Sequence, residues 1–411
     1  MYYSVAMTLR TLILLAATAM AVHLAGCGSS QKEDQGSSHG GSQREVGSSQ
    51  QTSEPTTNET LVGRCPESGS TGGQQEEASS GEVSNGKIAF SRNSDIYVID
   101  GEGAHESRLT HTAQSFEENP VWSPDAQKIA FMTQDRALYV MNADGTNETR
   151  LAVDLFSSDL IPSWSPDGQR IAFATGGYML PSGLSVINAD GTNEVSLISG
   201  SFSGNGGPLS QLWSPVWSPD GNKLAFAGQT VTDTGSSSSA EPASAPAEGS
   251  TGIYLINVDG TGLCKLTSTE EVLGYRPVWS PEGEQIAFYD KDTTNVINTD
   301  GSGRKPLAGG ASAAWSPDGQ KLAFINDSSV LDMINANGSG VRRLANTTTA
   351  APGNLPAWSP DGEKIAFPCP AARGAAGTDL CVINADGTEW KRLAFEVAPE
   401  DAPVSVLWGR G

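Results

Sequence analysis

The sequence feature that most limits the fold is a recurring pattern: an apolar stretch ending in Trp, a Ser-Pro-Asp-Gly turn, and the triplet Ile-Ala-Phe. Residues 162–173 are its clearest copy. In this turn Pro fixes φ and Gly can adopt a positive φ, so the chain reverses tightly between two strands. Residues 184–187 follow as a third strand, and Asp190 with Gly191 gives the hairpin signal for a fourth. The pattern predicts a four-stranded antiparallel meander.

Each part of the pattern occurs seven times in the same order. The strand-ending tryptophans are Trp122, Trp164, Trp217, Trp279, Trp315, Trp358 and Trp408. The triplets that begin the second strands start at Ile88, Ile129, Ile171, Leu224, Ile286, Leu322 and Ile365. The later hairpin turns begin at Asp100, Asp144, Asp190, Asp259, Asp300, Asn337 and Asp386. A repeat of roughly 40 to 50 residues with four short strands is typical of a β-propeller.

The two ends of the repeat region complement each other. The first repeat begins at residues 84–88, in the turn before a second strand, and lacks its tryptophan strand. Residues 404–408 are a tryptophan strand without successors. Joined, they complete one blade and leave no open sheet edge in the ring. We predict an all-β, seven-bladed propeller of four-stranded blades, closed by pairing of its N- and C-terminal strands. Six blades with a stray terminal strand is the alternative.

The order Trp-Ser-Pro-Asp-Gly, Ile-Ala-Phe, Ile-Asn-Ala-Asp-Gly resembles the WD40-like (PD40) repeat of the TolB family, over residues 86–411. The resemblance implies a TolB-like propeller in which the first strand of each blade is innermost. TolB proper carries an α/β domain before a six-bladed propeller, whereas this chain has a polar segment in that place. The TolB role with Tol-Pal partners is therefore not carried over to this chain.

The N-terminal residues predict export and lipid attachment. Arg10 precedes an apolar run over residues 11–22, which is too short to cross a bilayer comfortably. The run leads into Leu-Ala-Gly-Cys, which resembles a bacterial lipobox and implies cleavage before Cys27, with diacylglycerol on its sulfur. An ordinary secretory leader or an uncleaved anchor is the alternative.

Three segments follow from these signals. Residues 1–26 are a predicted lipoprotein signal peptide, residues 27–86 a lipid-anchored tether, and residues 87–411 the propeller. The tether is rich in Ser, Gly, Gln, Glu and Thr and has almost no large apolar side chains. It cannot bury enough surface to fold, so we expect it to be disordered.

Charge and cysteine content limit the possible partners. The formal net charge is −22, and an acidic surface repels nucleic acid and anionic lipid. Of the five cysteines, Cys369 and Cys381 end one predicted strand and begin the next. A disulfide between them is therefore possible in an oxidising compartment. The sequence contains no Cys-x-x-Cys pair, so a zinc site is not expected.

Few residues support catalysis. Only two of the four histidines, His105 and His111, fall in the predicted propeller. Oligogalacturonate lyases also resemble TolB propellers and hold their metal largely through His, and two are too few for such a site. Residues 36–40 match a nucleophile-elbow pattern but lie in the tether, without the required strand and helix. We predict no catalytic residues, no metal and no cofactor.

Loop lengths indicate where binding could occur. Turns between first and second strands, and between third and fourth strands, are short and alike. The second-to-third loops and the connections between blades vary, and both emerge on the opposite face around the mouth of the central channel. Variable loops on a rigid scaffold commonly carry recognition, and aromatic residues and Arg dominate binding hot spots. The predicted ligand-binding residues are Tyr178, Phe202, Trp213, Tyr275, Arg276 and Arg373.

These expectations combine into one functional hypothesis. The protein is expected to be a monomeric, non-enzymatic lipoprotein, anchored to a membrane at the cell surface or in the periplasm. Its variable-loop face would bind an envelope protein or peptide. Two alternatives stay open: a lyase or hydrolase acting on glycans or peptides at the channel mouth, and a glycan or cell-wall binding module.

Overall fold

The computed structural model describes residues 63–65, 86–111, 116–152, 161–177, 180–199, 209–231, 248–267, 276–290, 292–326, 328–347, 355–372, 377–398 and 407–409. All of these residues belong to one compact unit, Pro55–Gly411. The elements of this described part are all β-strands, which confirms the all-β class.

Seven four-stranded antiparallel blades follow one another along the chain, and within each blade the first to the fourth strand pair in sequence. Blade 1 consists of β29 (Leu407–Trp408), β2 (Lys87–Arg92), β3 (Asp95–Asp100) and β4 (Ser107–Arg108). Blade 2 consists of β5 (Glu117–Trp122), β6 (Lys128–Thr133), β7 (Leu138–Asn142) and β8 (Thr149–Ala152). Blade 3 consists of β9 (Ser163–Trp164), β10 (Arg170–Gly177), β11 (Leu180–Asn188) and β12 (Val195–Ile198).

The remaining blades repeat the same order, and one of them gains a fifth strand, β1 (Gly63–Arg64). Blade 4 consists of β13 (Leu209–Trp217), β14 (Lys223–Val231), β15 (Glu248–Asn257) and β16 (Cys264–Lys265), with β1 beside β16. Blade 5 consists of β17 (Val278–Trp279), β18 (Gln285–Asp290), β19 (Thr293–Asn298) and β20 (Lys305–Gly309). Blade 6 consists of β21 (Ala311–Trp315), β22 (Lys321–Ile325), β23 (Val330–Asn335) and β24 (Arg342–Asn346). Blade 7 consists of β25 (Ala357–Trp358), β26 (Lys364–Pro370), β27 (Thr378–Asn384) and β28 (Lys391–Ala398).

The first strands line the inside of a closed ring. Each of them contacts the first strand of the next blade: β5 with β9, β9 with β13, β13 with β17, β17 with β21, β21 with β25, β25 with β29, and β29 with β5. The ring closes in blade 1, where Ile88 pairs with Trp408 and Ala89 with Leu407. The seven-bladed architecture and its closure by the two ends of the repeat region are therefore confirmed, and the six-bladed alternative is not the one formed.

The second strand of each blade forms the core because both of its faces are covered. Ile129, Ala130 and Phe131 of β6 are all fully buried. Ala130 belongs to a cluster that extends to Trp164 of blade 3, whereas Ile129 and Phe131 belong to one that extends to Ile96 of blade 1. A strand between two packed blades needs apolar side chains on both faces, so the triplet is continuous rather than alternating.

The Ser-Pro-Asp-Gly turn is held by its own side chains. Ser165 is fully buried, and its Oγ accepts the backbone N–H of Arg170 at 2.9 Å and donates to the Asp167 carboxylate. Asp167 also accepts the N–H of Gln169 at 3.0 Å. The hydrogen bond from Ser165 lowers the pKa of the Asp167 carboxyl below its usual value. Gly168 has φ +68°, which confirms why glycine is needed there.

The turn between the third and fourth strands is likewise self-contained. Asp190 Oδ1 accepts the backbone N–H of Thr192 at 2.9 Å and its hydroxyl at 2.6 Å, and Gly191 has φ +84°. Blade 1 departs from the sequence assignment, since the left-handed glycine is Gly103 and not Gly101. The hydrogen bond from Gly103 N–H to Asp100 O closes that turn, so Asp100 occupies the Asn position of the other blades.

Tryptophan side chains connect neighbouring blades. In five of the seven blades, the indole Nε1 donates to the carbonyl of the residue that precedes the tryptophan of the previous blade. These bonds are Trp164 to Val121 (3.0 Å), Trp217 to Ser163 (3.0 Å), Trp279 to Val216 (3.1 Å), Trp315 to Val278 (3.2 Å) and Trp358 to Ala314 (3.1 Å). Trp408 instead donates to Gly86 O of its own blade at 2.9 Å. Trp122 Nε1 is buried and has no acceptor in the described part of the chain.

Cations on the fourth strands form further links at three consecutive junctions. The first residues of β20, β24 and β28 donate to a turn carbonyl of the following blade: Lys305 to Asn337 O, Arg342 to Asp386 O, and Lys391 to Glu102 O. The last of these crosses the junction of blades 7 and 1. Lys364 of β26 also forms an ion pair with the Glu102 carboxylate there. The outer part of the junction between blades 7 and 1 is therefore stabilised by a charged hydrogen bond and an ion pair.

Two disulfides reinforce the propeller. Cys369 and Cys381, the pair considered from the sequence, are joined within blade 7 at a Cα–Cα distance of 5.8 Å. Cys65 is joined to Cys264 across 199 residues. Beside it, β1 pairs in parallel with β16. Residues 63–65, which the sequence pattern assigns to the tether, thus lie against the outer edge of blade 4.

Two of the segments expected to be variable loops, residues 174–183 and 227–252, begin and end in strand. Residues 174–177 of β10 pair with residues 180–184 of β11, and residues 227–231 of β14 pair with residues 248–253 of β15. Both hairpins extend beyond the length of the other blades. The ladders continue because small and β-branched residues there still pair across the sheet, so less of each segment is loop than the sequence indicates.

We expect Trp164→Phe to lower the free energy of unfolding by about 1–3 kcal/mol, because it keeps a ring between blades but leaves Val121 O without its donor. Trp122→Phe removes a similar volume, but the donor that it removes has no acceptor among the described residues. The decrease in its free energy of unfolding should therefore be at least about 1 kcal/mol smaller. Urea denaturation of both variants measures the difference. Equal losses would contradict a stabilising role for the indole hydrogen bonds.

The Ser165–Asp167 hydrogen bond makes a pH-dependent contribution. Because the folded pKa of Asp167 is lowered, this contribution is complete above the unfolded pKa of about 3.9 and is lost as pH falls through the folded value. We expect Ser165→Ala to cost about 1–3 kcal/mol at about pH 6, since it also leaves the Arg170 N–H unpaired. The gap to wild type should narrow below about pH 4 in thermal denaturation. A gap that stays constant down to about pH 2 would exclude the carboxylate as its source.

Candidate functional site

The first strands present their starting residues at the mouth of the central channel. We call this end the loop face, because the tips of the second-to-third hairpins and the connections between blades lie there. The opposite end, with the two kinds of tight turn, is called the turn face. The residue three positions before each tryptophan lies within the inner strand or just before it, on the loop-face side of the tryptophan. At the positions that the structure describes, these residues are Asn119, Ile161, Ser214, Arg276, Ser312 and Leu355.

Arg276 differs from the other residues of this set in charge. It is half-buried, and desolvation lowers the pKa of its guanidinium to about 10. No carboxylate of the described chain lies within ion-pair distance of it. A cation that is withdrawn from water without a counter-charge attracts an anionic group strongly. Among the described residues, Arg276 is therefore a positive charge on the loop face without a carboxylate partner, in a protein of net charge −22.

Trp213 has a packing role. It lies in β13, opposite Ala227, and is partly buried against a cluster that includes Trp279 and Phe288 of blade 5. Most of its surface is therefore used between blades 4 and 5. Its ring packs between blades rather than presenting a free aromatic face. Of the six predicted ligand-binding residues, the structure describes these two; Tyr178, Phe202, Tyr275 and Arg373 lie outside the described residues, as does Cys27.

Two cavities occur on the turn face, one on each side of blade 1, and the sequence pattern predicts neither. One of about 330 Å³ lies between blades 7 and 1, beside the Lys364–Glu102 ion pair and the exposed ring of Trp390. The other, of about 240 Å³, lies between blades 1, 2 and 3 and is lined by Trp122, Trp164 and Trp408. The only sequence signal for them is that blade 1 lacks a continuous Ser-Pro-Asp-Gly turn.

Charged groups elsewhere form structural pairs. Three buried carboxylates near the second-to-third hairpins pair with arginines from the fourth-strand region: Asp95 with Arg108, Asp290 with Arg304, and Asp379 with Arg392. His105, whose side chain is largely exposed, bonds Asp100 through Nδ1 at 2.9 Å. Within the residues that the structure describes, no group of three or more His, Cys, Asp or Glu side chains could hold a metal ion.

The comparisons with solved structures agree with the fold. TolB from Acinetobacter baumannii is 16% identical, with 78% of this chain and 82% of that chain covered and a TM-score of 0.47. An oligogalacturonate lyase in complex with manganese is 14% identical, with coverages of 67% and 79% and a TM-score of 0.52. A functionally unknown protein from Desulfotomaculum acetoxidans is 14% identical, with coverages of 80% and 99% and a TM-score of 0.53.

The lyase and the Desulfotomaculum protein, each 14% identical, show the fold alone. The class that the fold defines is a seven-bladed β-propeller. No family model matches the chain, and no curated protein is detectably similar to it. Across the described segments, no helix is long and apolar enough to pass through a bilayer.

An uncompensated Arg276 should cost stability. Since desolvation lowers the folded pKa of Arg276 to about 10, the penalty on the charged form is fully present at neutral pH. A pKa unit corresponds to about 1.36 kcal/mol, and partial solvent access reduces the total, so we expect Arg276→Met to raise the free energy of unfolding by about 1 kcal/mol. Urea denaturation at neutral pH tests this. A destabilised Met variant would mean that the guanidinium is satisfied in the folded protein.

Proposed function

We propose that this protein is a non-enzymatic binding propeller of the cell envelope, which engages a protein or peptide through its loop face. The observation that carries the proposal is Arg276: a half-buried guanidinium at the channel mouth with no anionic partner in the described chain. The group it favours is a carboxylate, from an Asp or Glu side chain or from a peptide C-terminus. A planar guanidinium holds such a group with two parallel hydrogen bonds.

The acidity of the protein makes this position selective. A net charge of −22 repels acidic partners in general. The desolvated Arg276 in the channel mouth would admit a carboxylate at a defined point, against the repulsion of the acidic protein as a whole. Because hot-spot arginines act in sites from which water is largely excluded, its partial burial increases the energy available from one ion pair.

Cysteine pairing supports an extracytoplasmic location. The four described cysteines form two disulfides, and such bonds persist in oxidising compartments. They account for four of the five cysteines, which leaves Cys27. The lipobox-like residues before Cys27 then give the remaining cysteine a function as the lipid attachment site. Intact-mass analysis of the membrane fraction, beside a Cys27→Ala variant, tests this part of the proposal by itself.

A selection experiment tests the binding function. A random peptide library with free C-termini is selected on the immobilised wild-type protein, with counter-selection on Arg276→Gln. We expect enriched peptides to contain a required carboxylate, and their affinity to fall at least tenfold for both Arg276→Gln and Arg276→Met. Arg276→Lys should recover part of the affinity, because it keeps the charge but not the bidentate geometry.

Arg304→Gln is the matched control, since it removes an arginine that already pairs with Asp290 and should leave peptide affinity within twofold. Peptides that bind all variants equally would refute the role of Arg276. Metal-dependent turnover of polygalacturonate or of peptides by the purified protein would instead support the enzymatic alternative.

A further inference from the structure

One position of the turn between the third and fourth strands has a left-handed backbone in all seven blades. It lies five residues after the end of the third strand, and its φ is between +53° and +70° in every blade. In six blades it holds Gly, Asn or His, the residues that adopt such a φ most readily. These are His105, Asn147, Asn193, Gly262, Gly303 and Gly340. In blade 7 it holds Glu389, with φ +54°. A glutamate in this conformation carries a backbone cost, and residues of this kind cluster at functional sites.

The next residue, Trp390, also departs from the repeat. Its equivalents, none of them aromatic, are Glu106, Glu148, Glu194, Leu263, Arg304 and Val341. Trp390 is 47% exposed, and the guanidinium of Arg392 lies over its ring at 5.2 Å from the centroid. Arg392 is held in turn by an ion pair with Asp379 at 2.9 Å and a hydrogen bond to Pro370 O at 2.9 Å. A ring that is ordered before binding loses little conformational entropy when a ligand packs on it.

Glu389 and Trp390 both line the cavity of about 330 Å³ between blades 7 and 1. We call this cavity the Trp390 pocket; its other lining residues are Glu102, Lys364, Val382, Asn384 and Lys391. Its volume falls within the roughly 300–1,000 Å³ of pockets that hold small molecules. The two residues that depart from the repeat therefore meet at a space large enough for a ligand.

The charges of the Trp390 pocket favour a neutral ligand. Lys364 and Lys391 balance Glu102 and Glu389, so the lining has no net formal charge. Both ammonium groups already contact Glu102, because Lys364 pairs with its carboxylate and Lys391 donates to its carbonyl. A ligand carboxylate or phosphate would find both cations engaged and the exposed Glu389 carboxylate beside it. This distinguishes the pocket from Arg276, where a carboxylate is favoured.

We propose that the Trp390 pocket binds a neutral pyranose unit of a glycan. One face of such a ring presents C–H groups, which pack on the Trp390 indole. Its edge presents hydroxyls, which donate to the Glu389 carboxylate and accept remaining N–H groups of the two lysines. A purely apolar ligand would leave these groups unpaired, since five of the seven lining residues are charged or carry an amide. The pocket lies on the turn face, so this site is separate from Arg276 on the loop face.

Indole N–H resonances of the full chain measure this binding. The Trp390 signal is identified by its disappearance in Trp390→Phe. The probes are four neutral trisaccharides, namely cellotriose, chitotriose, maltotriose and mannotriose, with trigalacturonate as the anionic counterpart. We expect at least one neutral probe to shift the Trp390 signal with saturation in the millimolar range, and trigalacturonate to bind at least fivefold more weakly than that probe.

The proposal is overturned if no neutral trisaccharide shifts the Trp390 signal or if trigalacturonate binds equally well. It is also overturned if the capped tripeptide Ac-Ala-Val-Ala-NHMe shifts this signal with the same affinity, because the exposed ring would then be a general contact for protein.

Three variants complete the test, with saturation transfer to the sugar protons as the readout of affinity. Trp390→Ala should weaken binding at least tenfold while the other indole signals stay in place, which shows that the propeller is folded. Val341→Ala removes an exposed apolar side chain at the equivalent position of blade 6 and should leave affinity within twofold.

Glu389→Asn introduces the residue that blades 2 and 3 have at this position. We expect it to raise the urea midpoint, because Asn adopts a positive φ more readily, and yet to weaken binding at least threefold. A purely structural role for Glu389 would change stability alone. Unchanged affinity in Trp390→Ala or in Glu389→Asn would refute the site.

Discussion

The closed ring depends on one interaction repeated around its inner wall: an indole N–H of one blade bonded to an inner-strand carbonyl of the blade before it. Several inner strands, such as β9, β17 and β25, contain only two residues. A hydrogen-bond ladder of two residues does little by itself to fix the position of an inner strand. The tryptophan fills the wedge between two blades and satisfies a carbonyl that would otherwise face the apolar ring. Packing and hydrogen bonding therefore select the same blade spacing.

The tight turns complete this scaffold without help from outside. Ser165, Asp167 and their equivalents satisfy one another and the adjacent backbone, so the most conspicuous polar residues of the sequence have structural partners. Functional chemistry must then be sought where the repeat is broken. Arg276 replaces small or neutral residues at the inner-strand start, and Trp408 leaves the position that its equivalents occupy. Departures from local consistency are where function is most often found.

Short-range patterns in the sequence predicted most of the fold. The four-stranded meander and the chemistry of its turns could be predicted because they depend on residues close together in the chain. The ring closure could be predicted because the two ends of the repeat region complete one blade. The Cys65–Cys264 bond could not, since its partners are 199 residues apart and β1 is only two residues long. The extended hairpins of blades 3 and 4 were also missed, because their Gly, Ser and Thr residues are typical of loops.

The candidate sites were predictable to different degrees. Arg276 stood out because a large cation is unusual at its place in the repeat, but its lack of a counter-charge is a three-dimensional property. The turn-face cavity lined by Trp122, Trp164 and Trp408 left almost no sequence signal, since Trp408 lies against Gly101 and bonds Gly86 of its own blade. In blade 1 no Ser-Pro-Asp-Gly turn connects the first strand to the second, so nothing holds that ring in the common position.

Arg276 shows how a departure from the repeat can be linked to binding. It is a cation with no carboxylate partner in the described chain, and it is partly withdrawn from water. This raises the free energy of the unliganded protein, and a ligand that supplied a carboxylate would remove that penalty on binding. The same desolvation that costs stability in the free protein would therefore contribute to affinity in the complex.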